Sequence, residues 1–79
     1  MALSMKLSEL KSGETVTVTA LNQLSTETRK RLMVMGILPQ TEITLVRRAP
    51  MGDPLQVEVR GVSVALRESI AASIEVERR

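Results

Sequence analysis

Apolar and polar residues alternate in short blocks along this chain, and each block predicts a strand. Val16, Val18 and Ala20 alternate with Thr15, Thr17 and Thr19 behind a Ser12-Gly13 turn, a period of two in a row of β-branched residues. Ile43 and Leu45 alternate with Thr44 and Val46 in a strand expected over 42–49, and Leu55, Val57 and Val59 alternate with Gln56, Glu58 and Arg60. Prolines and glycine from Pro50 to Pro54 separate these two runs, which predicts a hairpin turning around Met51 to Pro54. Gly61 permits a sharp bend before Val62, Val64 and Leu66, and Ile74 and Val76 alternate with Glu75 and Glu77 as a last strand. Residues 67–73 have room for one helical turn.

A single stretch departs from period two. Ser25 or Thr26 can cap a helix over 27–35, with Glu27 near its positive end and Arg29, Lys30 and Arg31 in its middle. Thr28, Leu32 and Met35 share one face of it, with Met33 beside them. Gly36 follows where a left-handed C-cap is cheap, and Pro39 prevents further helix and biases Leu38 toward extended geometry. With one full helix to cover five short strands, a parallel α/β sheet is excluded. The expected fold is all-β: a small, sharply bent antiparallel barrel of five strands with the helix plugging one end and Val, Ile, Leu and Met filling the core.

Composition narrows the chemistry. The 79 residues fit one domain spanning 1–79, and 43% hydrophobic with 25% charged residues is an ordinary globular balance. Histidine, cysteine and aromatic residues are all absent. Without cysteine there is no disulfide framework or thiolate metal site, and a reducing, cytosolic setting is expected. The opening MALSMKLSEL lacks an apolar signal core, and no run approaches a membrane span, so membrane contact is expected only through a partner. A net charge of +2 is too small a bias to name a polyanionic ligand.

Each conspicuous side chain has a structural explanation to set beside a functional one. Asp53, between Gly52 and Pro54, is expected to bond neighbouring backbone amides rather than act as an acid or a metal ligand. Met33 and Met35 read as core fillers rather than soft-metal ligands. Met51 at the hairpin tip and Leu38 in the Leu-Pro turn have little chance of burial, which leaves partner contact and dispensable loop both open for them. Arg29, Lys30, Arg31, Arg47 and Arg48 read as a solvated face, with Glu9, Glu14, Glu27 and Glu42 available to neutralise them; an acidic partner is the functional alternative. No nucleophile has a base paired to it, and a small barrel offers little buried volume in which to shift a carboxylate's pKa. Neither a catalytic residue nor a cofactor is expected. Carboxylates alone favour hard ions at weak sites, so tight ferrous binding by the monomer is not expected.

The order of pieces along the chain resembles a known family. A Thr/Val strand, a basic helix ending in Leu32-Met33-Val34-Met35-Gly36, then Ile37-Leu38-Pro39, then Ala49-Pro50-Met51-Gly52-Asp53-Pro54 looks like FeoA, the small cytosolic protein of bacterial ferrous-iron uptake. Arg60-Gly61-Val62, Ala65-Leu66-Arg67 and Ile74-Glu75-Val76 fit the same pattern, so the resemblance covers roughly residues 7–76. The domain is also similar to the C-terminal SH3-like domain of iron- and manganese-dependent repressors. One departure is Gln40, where the family often has glycine after the turn proline. A type II turn would strain a non-glycine residue there by about 1 kcal/mol, and a type I turn is expected instead.

The resemblance implies an accessory interaction protein that docks on the cytosolic part of FeoB, the membrane permease with a GTP-binding domain. Leu38, Met51, Arg47, Arg48 and Arg29 are the candidate contact residues. Two alternatives stand beside it: a metal-linked regulatory domain of the repressor type, for which 79 residues leave no room for a DNA-reading domain, and a nucleic-acid-binding barrel. Single-strand binding normally draws on aromatic stacking that this chain lacks, so no nucleic-acid partner is expected. A weak homo-oligomer is left open.

Overall fold

The computed structural model describes residues 4–78; the expected domain limits at 1 and 79 lie outside them. Strand β1 (Ser4–Lys6) leads through a 3₁₀ turn (Leu7–Glu9) to β2 (Thr15–Ala20), helix α1 (Thr26–Val34), β3 (Glu42–Arg48), β4 (Leu55–Val59), β5 (Val62–Leu66), the short helix α2 (Glu68–Ala71) and β6 (Glu75–Arg78). All pairings are antiparallel, and the sheet runs β1-β6-β2-β3-β4-β5. The antiparallel, mainly β expectation holds, with two differences. Among the described residues six strands stand where five were expected, and β1 and β5 are the two edges of the sheet rather than closing the barrel.

The alternating residues face inward as their period requires. Val16, Val18, Ile43, Leu45, Leu55, Val57, Val59, Ile74 and Val76 are all buried, joined by Leu7, Leu10, Leu21, Leu32, Ile37, Leu66 and Ala71. Strand β1 escapes periodicity because it is three residues long; β6 organises it through Ser4↔Glu77 and Lys6↔Glu75, and Leu7 N–H donates to the Ile74 carbonyl at 2.9 Å. At the other extreme of the sheet, in β5, the alternation weakens: Val62 is 57% exposed and Val64 half-buried, since no further strand among the described residues covers them.

A register shift in β3 decides the fate of two arginines. Leu45 pairs with Val57 but Arg47 with Gln56, leaving Val46 as the extra residue of a bulge and 42% exposed. Beyond the bulge the inward face passes to Arg48, opposite buried Leu55, while Arg47 faces outward and donates from Nε to Gln56 Oε1 at 3.2 Å. The Arg48 guanidinium donates to the carbonyl of Ser8, and to that of Leu10 at 3.0 Å. It thereby ties the end of β3 to the 3₁₀ segment instead of joining a free cationic face.

The Leu38–Thr41 turn corrects a second expectation. Thr41 N–H donates to Leu38 O at 3.1 Å, and Gln40 at the third position has φ 72°, the geometry of type II rather than type I. Pairing with β2 imposes this: Gln40 N–H donates to Val18 O at 2.7 Å and Val18 N–H to Thr41 O at 2.9 Å. Gln40→Gly is therefore expected to raise stability by about 0.5–1 kcal/mol. Arg48→Met is expected to lower it by about 2–3 kcal/mol, since two half-buried carbonyls lose a charged donor; urea denaturation midpoints at constant slope check both.

Candidate protein-docking surface

Helix α1 packs unusually lightly. Ser25 Oγ accepts the N–H of Thr28 at 3.2 Å, setting its start, and the helix runs from Thr26 to Val34, one residue earlier at each end than expected. At its other end Gly36 (φ 92°) donates to Met33 O at 3.0 Å and Ile37 N–H to Leu32 O at 2.9 Å, a double closure that folds Ile37 back beside Leu32 in the core. Only a residue with free access to positive φ makes this reversal without strain. Leu32 alone among the residues of α1 is buried. Met33 and Met35, expected in the core, are each 40% exposed, and Val34 is 88% exposed. The reason is geometric: four consecutive apolar residues from Leu32 to Met35 sweep about 300° of a helix, more than one core-facing side can take.

The exposed residues form a defined feature. Thr26, Arg29, Lys30 and Met33, spaced i, i+3, i+4, i+7, line one wall of a groove of about 450 Å³. The end of β2, Asn22 and Pro39 line the rest. Its only charges are the two cations, and its apolar parts include the thioether of Met33 and the ring of Pro39. Chemically such a groove suits an apolar side chain flanked by carboxylates.

The five candidate residues do not come together. Arg29 lies on the groove wall, with half-buried Leu38 in the turn before β3; Arg47, Arg48 and Met51 lie at the far end of that strand. Seven residues of extended chain separate the two ends by about 20 Å. Met51, at 92% exposure, projects from the β3–β4 loop, which is closed by Ala49 N–H to Pro54 O at 3.0 Å and Gly52 N–H to Ala49 O at 2.7 Å. Asp53 is structural, but through a distant partner: its Oδ1 accepts the Glu68 N–H at 3.0 Å, pinning the loop to the start of α2 rather than to its own neighbours. The expected local neutralisation also resolves differently. Glu14 pairs with Arg78 at 2.9 Å, and Glu9 accepts the Lys6 N–H at 2.6 Å. Lys30, read from sequence as part of a solvated face, and Met33, read as a core filler, stand beside Arg29 on the groove wall; for Met33 the overlong apolar run was the available signal.

Among the described residues, no three His, Cys, Asp or Glu side chains gather where they could hold a metal ion, and no helix is long and apolar enough to cross a membrane. Comparison with known proteins decides the family, because the FeoA domain model matches residues 5–78. The chain belongs to the FeoA family. FeoA from Chlorobium tepidum, solved in solution, is 36% identical and superimposes with TM-score 0.89 over 94% of this chain and 70% of its own. FeoA from Stenotrophomonas maltophilia, a prokaryotic SH3-domain protein solved in complex with zinc, is 32% identical with TM-score 0.78, covering 91% of this chain and 88% of that one. The fold is accordingly SH3-like. An Fe(2+) transport protein A/Fe(2+) transporter FeoB fusion protein of Porphyromonas gingivalis is 37% identical over 73 residues, 92% of this chain and 8% of the fusion. The chain thus spans under a tenth of that relative's length. A manganese-dependent transcriptional repressor superimposes with TM-score 0.88 over all of this chain and 44% of its own at 18% identity, a likeness of fold alone.

The light packing of the FeoA helix makes a sharp stability contrast. Leu32→Ala should destabilise the fold by about 2–4 kcal/mol, since it empties the single anchor of α1. Val34→Ser should change stability by less than about 0.5 kcal/mol, although both replace an aliphatic residue of the same helix. Thermal and urea unfolding of the two variants measure the difference.

Proposed function

We propose that this chain is a non-enzymatic accessory module of ferrous-iron uptake that docks, on the cytosolic side, on a FeoB-type permease. The observation that carries the reading is the Porphyromonas gingivalis relative, in which a homologous domain and the FeoB transporter belong to one polypeptide. Covalent linkage holds two modules at high effective concentration, which is useful where their separate contact is weak. Iron enters this reading as the permease's cargo. The repressor likeness, being one of fold, lends the regulatory alternative no functional support, and nothing in the groove supplies the stacking surface of a single-strand binder.

The α1 groove is the contact we favour. It joins two cations and an exposed thioether with Pro39 of the following turn, a mixture suited to an acidic partner surface carrying an apolar anchor. In a titration of the ¹⁵N-labelled chain with the purified GTP-binding region of a FeoB-type permease, shift changes should cluster at Arg29, Lys30, Met33 and Leu38. Arg29→Glu combined with Met33→Asp should weaken binding at least about tenfold, and Met51→Asp should leave it within about twofold. Changes clustered at Met51 and Arg47 would move the contact to the opposite end of β3, and an unperturbed spectrum would refute docking on that region.

A further inference from the structure

The β5 edge is built for pairing. The β4–β5 turn is a two-residue loop, Arg60 at φ 52° and Gly61 at φ 80°, which makes Val59↔Val62 the first hydrogen-bonded pair of the hairpin. Hydrogen-bonded pairs then recur at Val57↔Val64 and Leu55↔Leu66, while Glu58↔Ser63 and Gln56↔Ala65 are the intervening non-bonded pairs. The N–H and C=O of Ser63 and Ala65 therefore point away from β4. None of the described backbone hydrogen bonds outside the sheet ladders engages them.

Proteins that must remain monomeric protect such an edge with lysine, proline, a bulge or extreme shortness. The opposite edge, β1, follows this practice with three residues and a lysine. Strand β5 does not: Val62-Ser63-Val64-Ala65-Leu66 has no charge, no proline and a continuous register. Ser63 and Ala65 are exposed and small, so nothing obstructs an approaching backbone, and a shallow hollow of about 290 Å³ lies against them.

We infer that β5 is a self-association edge, pairing antiparallel with β5 of a second copy of this chain about a two-fold axis at Val64. The register is self-complementary. Ser63 meets Ala65 of the other copy and Ala65 meets Ser63, so the outward donors and acceptors satisfy one another in four hydrogen bonds. On the inner face Val64 meets its own counterpart and Val62 meets Leu66, covering the valine that the monomer leaves 57% exposed. Beyond the strand ends, Arg60 in the β4–β5 turn and Glu68 at the start of α2 of the other copy carry opposite charges. Two five-residue strands bury less than the roughly 1,200 Å² of a standard interface, so the dimer is a weak one. The inference is independent of the docking reading, which uses α1.

Sedimentation equilibrium and ¹⁵N NMR of the full chain from about 20 μM to 2 mM test it. The weight-average mass should rise from 8.7 kDa towards twice that value, with concentration-dependent shifts centred on the Ser63 and Ala65 amides. Ala65→Pro removes an outward N–H without touching a β4 bond and should weaken association at least tenfold while the remaining spectrum stays dispersed. Ser63→Lys with Ala65→Lys sets like charges opposite at both pairs and should do the same. Ser63→Lys with Ala65→Glu sets opposite charges there, keeps the introduced lysine across from Glu58 within each copy, and should associate at least as well as the parent chain. A mass fixed at 8.7 kDa throughout, association indifferent to Ala65→Pro, or equal behaviour of the two double variants would overturn the inference. Edge shifts appearing only with a permease region would overturn it too, by assigning the edge to another protein.

Discussion

Insertion of β6 between β1 and β2 is the contact on which the other parts of this fold rest. The last strand buries Ile74, just before it, and Val76 within it, and it supplies the pairing partner for two strands from the other end of the chain. Remove it and β1 has no neighbour, β2 loses one side of its ladder, and Leu7 and Leu10 lose the frame that holds them inward. Two ion pairs flank it, Lys6 with Glu75 and Arg78 with Glu14, but partly exposed pairs of this kind contribute little, so burial carries the joint. The pairing is also highly non-local, Ser4 with Glu77, whereas the β4–β5 hairpin closes over two residues. Loop closure accordingly opposes the first and barely touches the second, which makes the hairpin the natural early element and the β6 insertion the step that commits the sheet.

A core made wholly of aliphatic side chains sets the second constraint. Without aromatic rings, no single residue covers much area, and the buried set must draw on nearly every element. Helix α1 contributes Leu32 and little more, and its place is held as much by its ends as by its face: the Ser25 cap at one, the Gly36–Ile37 reversal at the other. This division of labour is what leaves the i, i+3, i+4, i+7 stripe of Thr26, Arg29, Lys30 and Met33 free of structural duty.

Much of this was legible from period two and from Pro/Gly punctuation. The strands containing Val16, Ile43, Leu55 and Val62 follow directly from alternation, and the family resemblance carried the SH3-like assignment. What escaped has identifiable physical reasons. A three-residue strand carries no period, so β1 is visible only once β6 is in place. The Val46 bulge breaks alternation without any glycine or proline to announce it, and it sends Arg48 to the Ser8 and Leu10 carbonyls while Arg47 stays outside. Gln40 adopts positive φ because its amide and the Thr41 carbonyl must meet Val18, a long-range demand that overrides local preference. The candidate contact residues chosen from sequence lie at two ends of β3, because spacing along the chain does not show which end of a strand a residue reaches.

Two surfaces remain where the chain departs from what a self-contained monomer requires: a helix end exposing Met33, Val34 and Met35, and an uncharged open edge. Such departures are where function is expected, because stability alone would remove them. Their chemistry suits them to different partners. The groove along α1 carries only cations, so a second copy of the same groove would be repelled and an acidic heterologous surface attracted. Strand β5 has no charge with which to reject its own copy, and its small side chains and dyad-compatible register favour it. Since the two surfaces share no residue, occupying one leaves the other's contact atoms in place, and a chain of this size can hold a weak partner and a weak copy of itself at the same time.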